Sequence, residues 1–221
     1  MSTPTSHAES AVAGEVRHPL FARFFDRLSK VMEREIGAHR SELVADLSGR
    51  VVEIGPGNGM NFRHYPASVE EVLAFEPEPY LRAKAQAAAT KAPVPVTVRA
   101  GVADAVDLQD ASVDGSVACL VLCTVPDQPG ALAELRRVLK PGGELRFLEH
   151  VRSPQPGKAR FQVNLDRSGI WPHLAGGCHC SRDTVAAIEA AGFRVEDSRP
   201  LNFGPSWMFT NPHVLGRAVA R

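Results

Sequence analysis

The sequence predicts an α/β fold in which a mostly parallel β-sheet carries helices on both faces. Between residues 50 and 150, short apolar runs alternate with helical patterns, and one of these runs ends in alternate glycines. The run at 113–123 is apolar almost throughout, as is typical of a central parallel strand that is buried on both faces. The 221 residues, of which 44% are hydrophobic, are sufficient for one domain with a substantial core.

The N-terminal part of the chain predicts a tail followed by a helical cap. Residues 1–15 lack apolar periodicity and are expected to form a disordered tail. Within a cap at 16–47, apolar residues at three- and four-residue steps predict a helix at 19–37, and a second, short helix is expected at 41–47. The aromatic residues of the first helix have two interpretations: core packing, or a lid over a ligand.

The remaining residues, 48–221, are predicted to form the main domain. Strands are expected at 50–54, 69–75, 94–99, 113–123 and 144–150, with helices at 58–65, 78–90 and 129–139. The segment at about 153–180 is rich in proline, glycine and polar residues, which predicts an inserted loop with a short helix that covers substrate. A helix at 182–191, a strand from residue 193 and a final segment at 212–220 complete the chain.

Charge and cysteine usage exclude several classes of function. Twenty-five basic residues balance 25 acidic ones, so nothing predicts attraction to nucleic acid or to a lipid surface. No apolar run has the length of a membrane span, and the N-terminus lacks the order of a signal peptide, which predicts a cytoplasmic enzyme. The layout of the four cysteines is not that of a disulfide-stapled secreted fold. A small-molecule partner is therefore expected.

A glycine turn and two acidic residues carry the chemical signal. Gly55, Gly57 and Gly59 follow the first strand, Glu53 precedes the turn, and Glu76 ends the second strand. In nucleotide-binding folds, an acidic residue at the end of the second strand accepts hydrogen bonds from ribose hydroxyls. A glycine turn alone is also expected in a dinucleotide fold, but the acid before it and the Leu-Lys-Pro-Gly-Gly run at 139–143 favour a different ligand, S-adenosylmethionine.

These motifs resemble those of the class I S-adenosylmethionine-dependent methyltransferases. The resemblance implies a Rossmann-like, seven-stranded, mostly parallel sheet, S-adenosylmethionine as cofactor and S-adenosylhomocysteine as product. Where many relatives have Gly-Asp-Ala in the adenine turn, this chain has Gly-Val-Ala at 101–103, so the backbone, water or Asp104 is left to hold the adenine amino group. The cofactor-binding residues that it implies are Glu53, Gly55, Pro56, Gly57, Asn58, Gly59, Glu76, Pro77, Val102, Ala103, Leu120 and Cys123.

A narrower resemblance, to the thiol S-methyltransferases, extends over most of the chain. It is carried by the strings at residues 21–25, 53–59, 61–66, 75–79, 122–127, 147–151 and 176–179. The branch includes membrane-associated mammalian enzymes that act on alkyl thiols, and microbial enzymes that cap dithiol natural products. It implies a thiol acceptor such as a reactive dithiol, with a role in detoxification or self-protection. The predicted substrate pocket consists of Phe21, Phe24, Phe25, Trp171, Cys178 and His179.

Two residues are predicted to assist deprotonation of the acceptor thiol. His150 ends the fifth strand, at the edge where ligands of such sheets bind, and Asp127 lies just past the fourth. A thiol has a pKa of about 8.5, so one nearby base or cation suffices. Each residue also has a structural interpretation: His150 as a partner that holds the adjacent loop, Asp127 as a helix N-cap. The sequence around His179 does not favour a metal site, because three ligands on adjacent residues do not easily close one tetrahedron.

Two other functions are compatible with the same motifs. One is methyl transfer to carbon, oxygen or nitrogen of a small metabolite such as a quinone precursor, since one fold serves all of these acceptors. The other is a module that binds S-adenosylmethionine without catalysis.

Overall fold

The computed structural model describes residues 18–205 and 207–221, so the predicted tail at 1–15 lies outside the described residues. Seven strands form one sheet in the order β3-β2-β1-β4-β5-β7-β6. β1 to β5 are parallel, and β7 runs antiparallel to β5 and β6. The predicted fold class is therefore confirmed. The strands are β1 Gly49–Ile54, β2 Val69–Phe75, β3 Val96–Arg99, β4 Val113–Cys119, β5 Leu139–His150, β6 Phe193–Asn202 and β7 Pro212–Ala220.

Helices cover both faces of this sheet. Because successive side chains of a strand point to opposite faces, Val52 and Ile54 belong to one core cluster, and Val51, which precedes Val52, belongs to another. Leu135, from the helix Gln128–Val138, packs in the first cluster, and Ile36, from the helix Pro19–Val44, packs in the second. The helices are α1 Pro19–Val44, α2 Pro79–Ala89, α3 Gln128–Val138, α4 Pro156–Arg167, α5 Ile170–Leu174 and α6 Thr184–Ala190.

The predicted break in the N-terminal helix is wrong. α1 continues through Gly37 as one helix of 26 residues, with Ile36, Arg40, Leu43 and Val44 all buried on its inner side. A glycine inside a helix costs about 1 kcal/mol relative to alanine, and a buried stripe that continues on both sides outweighs this cost.

The predicted helix at 58–65 is also wrong, since the structure has only a short 3-10 helix at Phe62–His64. Gly57 and Gly59 adopt positive φ angles, which a continuous right-handed helix cannot contain. β4 ends at Cys119, four residues earlier than expected, because Leu120 has φ of 57° and leaves the strand. β5 begins earlier, at Leu139, which pairs with Val113 before the register shifts.

The segment at 153–180 contains more helix than the sequence predicts. α4 and α5 occupy much of it, and Gln162 anchors α4 by donating to the Phe209 carbonyl at 2.8 Å and accepting from the Ser153 amide at 2.7 Å. The role of the 153–180 segment as a substrate cover stays a prediction, as do the domain limits at residues 16, 47 and 48. None of the helices in the described residues is both long and apolar enough to traverse a lipid bilayer.

Candidate active site

The glycine turn lies where the strand order reverses, since the chain continues from β1 to one side of the sheet and later returns to β4 on the other. Gly55, Gly57 and Gly59 have φ angles of 54°, 59° and 79°, a region that strongly favours glycine. A Cβ on Gly55 would lie 2.4 Å from Cγ2 of Val121, and one on Gly57 would lie 3.0 Å from Cε1 of Phe25. The turn therefore needs glycine both for its backbone conformation and for its close packing.

Glu76, at the end of β2, is joined directly to this turn. Its Oε2 accepts a hydrogen bond from the Gly57 amide at 2.8 Å, and its Oε1 accepts from the Glu78 amide at 3.0 Å. Burial raises the pKa of Glu76 to about 7, although both backbone hydrogen bonds favour the carboxylate. The predicted ribose-binding acid thus lies beside the glycine turn, and its contact with ribose stays a prediction.

Glu53 lies behind the turn, away from the cavity described below. It accepts hydrogen bonds from Asn61 Nδ2 and from the Tyr65 hydroxyl, both at 2.7 Å, and Arg40 Nη1 in turn donates to Asn61 Oδ1 at 2.7 Å. Burial raises the pKa of Glu53 to about 7, while these hydrogen bonds and Arg40 act in the opposite direction. The arrangement supports the chain after the turn. Direct contact of Glu53 with cofactor stays a prediction.

Asn58 connects the turn to α1. Its Nδ2 donates to Asp26 Oδ1 at 2.9 Å and to Ser29 Oγ at 2.8 Å. Burial acts to raise the pKa of Asp26, but hydrogen bonds from Asn58 and Lys30 outweigh it and hold this pKa below its usual value. Sequence reasoning missed Asp26 and Ser29. The feature of the sequence that could have identified them is the presence of polar residues on the mainly apolar, buried face of a helix.

A cavity of about 400 Å³ opens between the glycine turn, the end of β2, the turn after β4 and the start of α1. Predicted site residues that border it are Phe21, Phe25, Gly55, Gly57, Glu76, Pro77, Val102, Ala103, Leu120 and Asp127. Predicted site residues outside its wall are Phe24, Glu53, Pro56, Asn58, Gly59, Cys123, His150, Trp171, Cys178 and His179. Wall residues that sequence reasoning did not assign to the site include His18, Phe75, Glu78, Leu81, Val121, Thr124, Val125, Pro126, Gly176 and Gly177.

Aromatic residues of α1 form one wall of this cavity. The Phe21 and Phe25 rings stack with their centroids 5.9 Å apart, and Phe21 lies so close to Gly176 that a Cβ there would be 2.2 Å from the ring. Phe24 points elsewhere and is 59% exposed. Trp171 packs edge-on against Phe209 with centroids 4.8 Å apart. The aromatic stripe is therefore divided between the cavity wall and the surface.

The turn after β4 is organised by Glu149, a fully buried acid on β5 that sequence reasoning also missed. Its carboxylate accepts hydrogen bonds from three consecutive backbone amides, those of Val121 and Leu122 at 2.9 Å and that of Cys123 at 3.2 Å. Burial raises the pKa of Glu149 to about 7 against these hydrogen bonds. Its sequence signal is an acid inside an apolar strand. Glu149 thereby shapes the cavity wall at Leu120 and Val121.

The two predicted catalytic residues occupy different environments. Asp127 borders the cavity, and its carboxylate accepts from the Gly130 amide at 2.9 Å, which is the N-cap arrangement of α3. His150 is 5% exposed, and its Nδ1 lies 3.5 Å from Cys178 Sγ. Its Nε2 is buried without a hydrogen-bond partner among the described residues. The catalytic roles of both residues stay predictions.

Comparison with known proteins agrees with this geometry. A family model described as "Methyltransferase domain" matches residues 52–147. Thiol S-methyltransferase TMT1B of Rattus norvegicus is 35% identical over 187 residues, which cover 80% of this chain and 75% of the rat protein. Thiol S-methyltransferase TMT1B of Homo sapiens is 31% identical, covering 91% of this chain and 88% of its own length.

A solved structure with bound product has the same fold. The geranyl diphosphate C-methyltransferase from Streptomyces coelicolor, in complex with S-adenosylhomocysteine, aligns with a TM-score of 0.63 and 17% identity, over 83% of this chain and 77% of that one. At this identity the match supports the fold alone, whereas the rat and human TMT1B proteins match over 75% and 88% of their length. The chain is an S-adenosylmethionine-dependent methyltransferase and belongs to the family that includes the thiol S-methyltransferases TMT1A and TMT1B.

Proposed function

We propose that the protein transfers the methyl group of S-adenosylmethionine to the thiol of a small, largely apolar molecule. The observation that carries the proposal is the cavity of about 400 Å³, which joins the glycine turn and Glu76 to a wall built from Phe21 and Phe25. This volume lies in the range of small-ligand sites, and the wall is mainly apolar with few polar groups. The names of the relatives support a thiol as the acceptor.

The residues on one side of the cavity fit S-adenosylmethionine. Gly55 and Gly57 expose backbone where any side chain would collide, and Glu76 places a carboxylate beside them to accept hydrogen bonds from ribose hydroxyls. Val102, Ala103 and Leu81 offer an apolar surface to the adenine ring. When bound, the cofactor supplies a methyl group that is activated by a positively charged sulfur.

The residues on the other side are suited to align an acceptor and to exclude water. Phe21 and Phe25 cover the turn, and Gly176 packs closely against Phe21, so this wall leaves little room for solvent. In a water-poor site, a thiolate and a cationic methyl donor attract each other more strongly than in water, and alignment lowers the barrier further. Of the two candidate bases, Asp127 borders the cavity and His150 lies outside its wall, and we propose that one of them receives the thiol proton.

The test is methyl transfer from labelled S-adenosylmethionine to matched acceptors. Alkyl thiols, a dithiol and the corresponding alcohols and amines are incubated with the full chain, and methylated products are identified by mass spectrometry. We expect methyl thioethers from the thiols and none of the corresponding ethers. Glu76→Ala serves as a control that weakens cofactor binding without altering the acceptor wall.

Failure with every thiol, combined with methylation of a carbon, oxygen or nitrogen acceptor, would replace the proposed acceptor class. Cofactor binding with no turnover on any acceptor would instead favour a binding module. A reactive dithiol is the specific acceptor that we propose, with detoxification as the role; faster methylation of the dithiol than of the simple alkyl thiol would support it. The cytoplasmic location stays a prediction.

A further inference from the structure

Two cysteines that are distant in sequence meet beside the cavity. Cys123 belongs to the turn after β4, and Cys178 follows Gly176 and Gly177 in the 153–180 segment. The His179 amide donates to the Cys123 carbonyl at 2.8 Å, which holds the two segments together, and each of the two thiols shifts the pKa of the other. The fold therefore places two thiols next to each other that the proposed methyl transfer does not use.

The surroundings of this pair make the two sulfurs unequal. The neighbouring Cys123 thiol and the adjacent His150 lower the pKa of the Cys178 thiol, although its burial opposes this effect. The neighbouring Cys178, together with burial, raises the pKa of Cys123. Glu149 raises it further, whereas Arg182 acts in the opposite direction. One sulfur is thus disposed to be a thiolate nucleophile and its neighbour to stay a thiol.

A buried donor adds to this site. Trp171 Nε1 has no hydrogen-bond partner that meets the usual distance and angle limits among the described residues, yet Trp171 adjoins Cys178, whose sulfur also lies 3.5 Å from His150 Nδ1. An unpaired N–H group in a buried site is costly, and negative charge or an added oxygen on Cys178 gives the Trp171 N–H group an acceptor.

The other two cysteines lack this environment. Cys119 is buried next to Arg40, whose Nη1 lies 3.2 Å from its sulfur, and burial raises the pKa of Cys119 to about 11. Cys180 is also buried; its sulfur donates to Asp166 Oδ1 at 3.3 Å, and burial and this contact raise its pKa. The same chain therefore contains two buried cysteines with raised pKa values that serve as controls.

We propose that Cys178 and Cys123 form a reversible oxidation site, at which a hydroperoxide converts the two thiols into a disulfide. The Cys178 thiolate attacks one peroxide oxygen, the O–O bond breaks, and the departing oxygen leaves as water or alcohol after taking a proton, so that Cys178 becomes a sulfenic acid. The Cys123 sulfur then attacks the Cys178 sulfur, the S–O bond breaks, and hydroxide leaves with the Cys123 proton as a second water. Two thiols lose two electrons and the peroxide gains them.

The disulfide would act on the cavity through the glycines that precede Cys178. Gly177 packs so closely on Thr124 that a Cβ would lie 2.9 Å from the Thr124 carbonyl oxygen, and both residues border the cavity. Cys178 follows Gly177, and Cys123 precedes Thr124. A disulfide between these two cysteines would hold this part of the cavity wall in one position. Oxidation is therefore expected to slow release of ligand from the cavity, and reduction to restore it.

The test uses the full chain, reduced and then freed of reductant, with and without hydrogen peroxide. Remaining thiols are alkylated under denaturing conditions, and intact mass and non-reduced peptide maps are recorded. We expect the four free thiols to fall to two, with Cys123 and Cys178 in one linked peptide, and a phosphine to restore all four. Cys123→Ser is expected to stop at a sulfenic acid on Cys178, trapped by dimedone, while Cys119→Ser still forms the disulfide.

Linkage of a different pair, or thiol loss in Cys178→Ser at the wild-type rate, would overturn the proposal. So would survival of all four thiols in the native chain under peroxide that oxidises the urea-unfolded chain. The wild-type peptide map, with the linked peptide fragmented between Cys119 and Cys123 and between Cys178 and Cys180, decides the matter even if a cysteine variant fails to fold. Because mass is measured and no acceptor is added, this result is independent of whether the protein methylates thiols.

Discussion

Glu149 gives the sharpest test of how the cavity wall is built. The change Glu149→Gln keeps an oxygen that can accept the two amide N–H groups now bound to Oε1, those of Val121 and Leu122. It places an NH2 group against the third donor, the Cys123 amide that now binds Oε2. Glu149→Ala leaves all three donors without their acceptor.

The expected losses follow from the number of unsatisfied buried donors. Leaving one such donor unsatisfied costs about 1–3 kcal/mol, so Glu149→Gln should lower the free energy of unfolding by about that amount. Glu149→Ala should cost roughly 3–9 kcal/mol, a large part of the 5–15 kcal/mol by which a typical domain is stable. Both variants should also bind S-adenosylhomocysteine more weakly, because the same turn carries the cavity residues Leu120 and Val121.

The assay is urea unfolding at pH 6, monitored by intrinsic fluorescence. The free energies of unfolding are compared between variants whose dependence on urea concentration has the same slope. The control is Glu144→Gln on the same strand, where Glu144 is paired with Arg146 and partly exposed, so a change within about 0.5 kcal/mol is expected. Equal urea midpoints for wild type and Glu149→Gln would refute the reasoning. An alanine variant no weaker than the Glu144 control would do the same.

The pH dependence of this difference provides a second check. Burial raises the pKa of Glu149 in the folded state to about 7, above its unfolded value, so the native state binds the proton more tightly. The stability that Glu149 contributes is complete below its unfolded pKa and is lost as pH rises through about 7. The difference between wild type and Glu149→Gln should therefore shrink by up to about 3 kcal/mol between pH 5 and 8. A difference that grows would show that the three amides, not burial, dominate.

Three further changes test separate parts of the site. Burial raises the pKa of Glu76 to about 7, so the fraction of Glu76 that is ionised rises roughly tenfold from pH 6 to 8. Wild-type affinity for S-adenosylhomocysteine, measured by calorimetry, should rise by the same factor, and Glu76→Gln should show weaker binding that does not depend on pH. Parallel pH profiles of the two proteins would contradict this. Asp127→Ala should cost about 1 kcal/mol in urea unfolding and Asp127→Asn almost nothing, because Asn also caps helices; a rate loss in the stable Asn variant would reveal proton transfer. Burial lowers the pKa of His213 to about 4, so the stability that neutral His213 contributes is complete above pH 6.5 and is lost as pH falls toward 4, by up to about 3 kcal/mol. His213→Asn should therefore unfold at lower pH than wild type. An unchanged midpoint of acid unfolding would exclude His213 as a cause of the acid sensitivity.

The parallel sheet was predictable because each strand carries its own signal. Alternating apolar runs located β1 to β5, and the bounds of α2 and α3 differ from prediction by one residue at each end. The errors arise where a neighbour in space overrides local preference. α1 continues through Gly37 because the sheet buries residues on both sides of it, and β4 ends early because Glu149 draws the next amides into a turn.

The arrangement of the residues predicted to bind cofactor followed from the sequence more directly than that of the residues predicted to bind the acceptor. The glycine turn and Glu76 sit at strand ends, and ends of parallel strands share one edge of the sheet, so sequence position alone places them together. The contact between Cys178 and Cys123 depends on how an inserted segment folds back, for which the sequence has no periodic signal. The contact from Asp26 to Asn58 likewise joins a helix to a turn through single side chains.

The contacts from α1 to the glycine turn have a thermodynamic consequence. Asn58 can keep both of its N–H donors satisfied only while Asp26 and Ser29 stay in place, so opening of the helix and loss of the glycine turn are linked equilibria. Cofactor binding should then slow amide hydrogen exchange in α1, including parts that never touch the ligand. Amide exchange in the N-terminal helix would therefore report whether cofactor is bound. Opening of this helix would also lower the affinity for cofactor, because the glycine turn would lose the contacts that hold it.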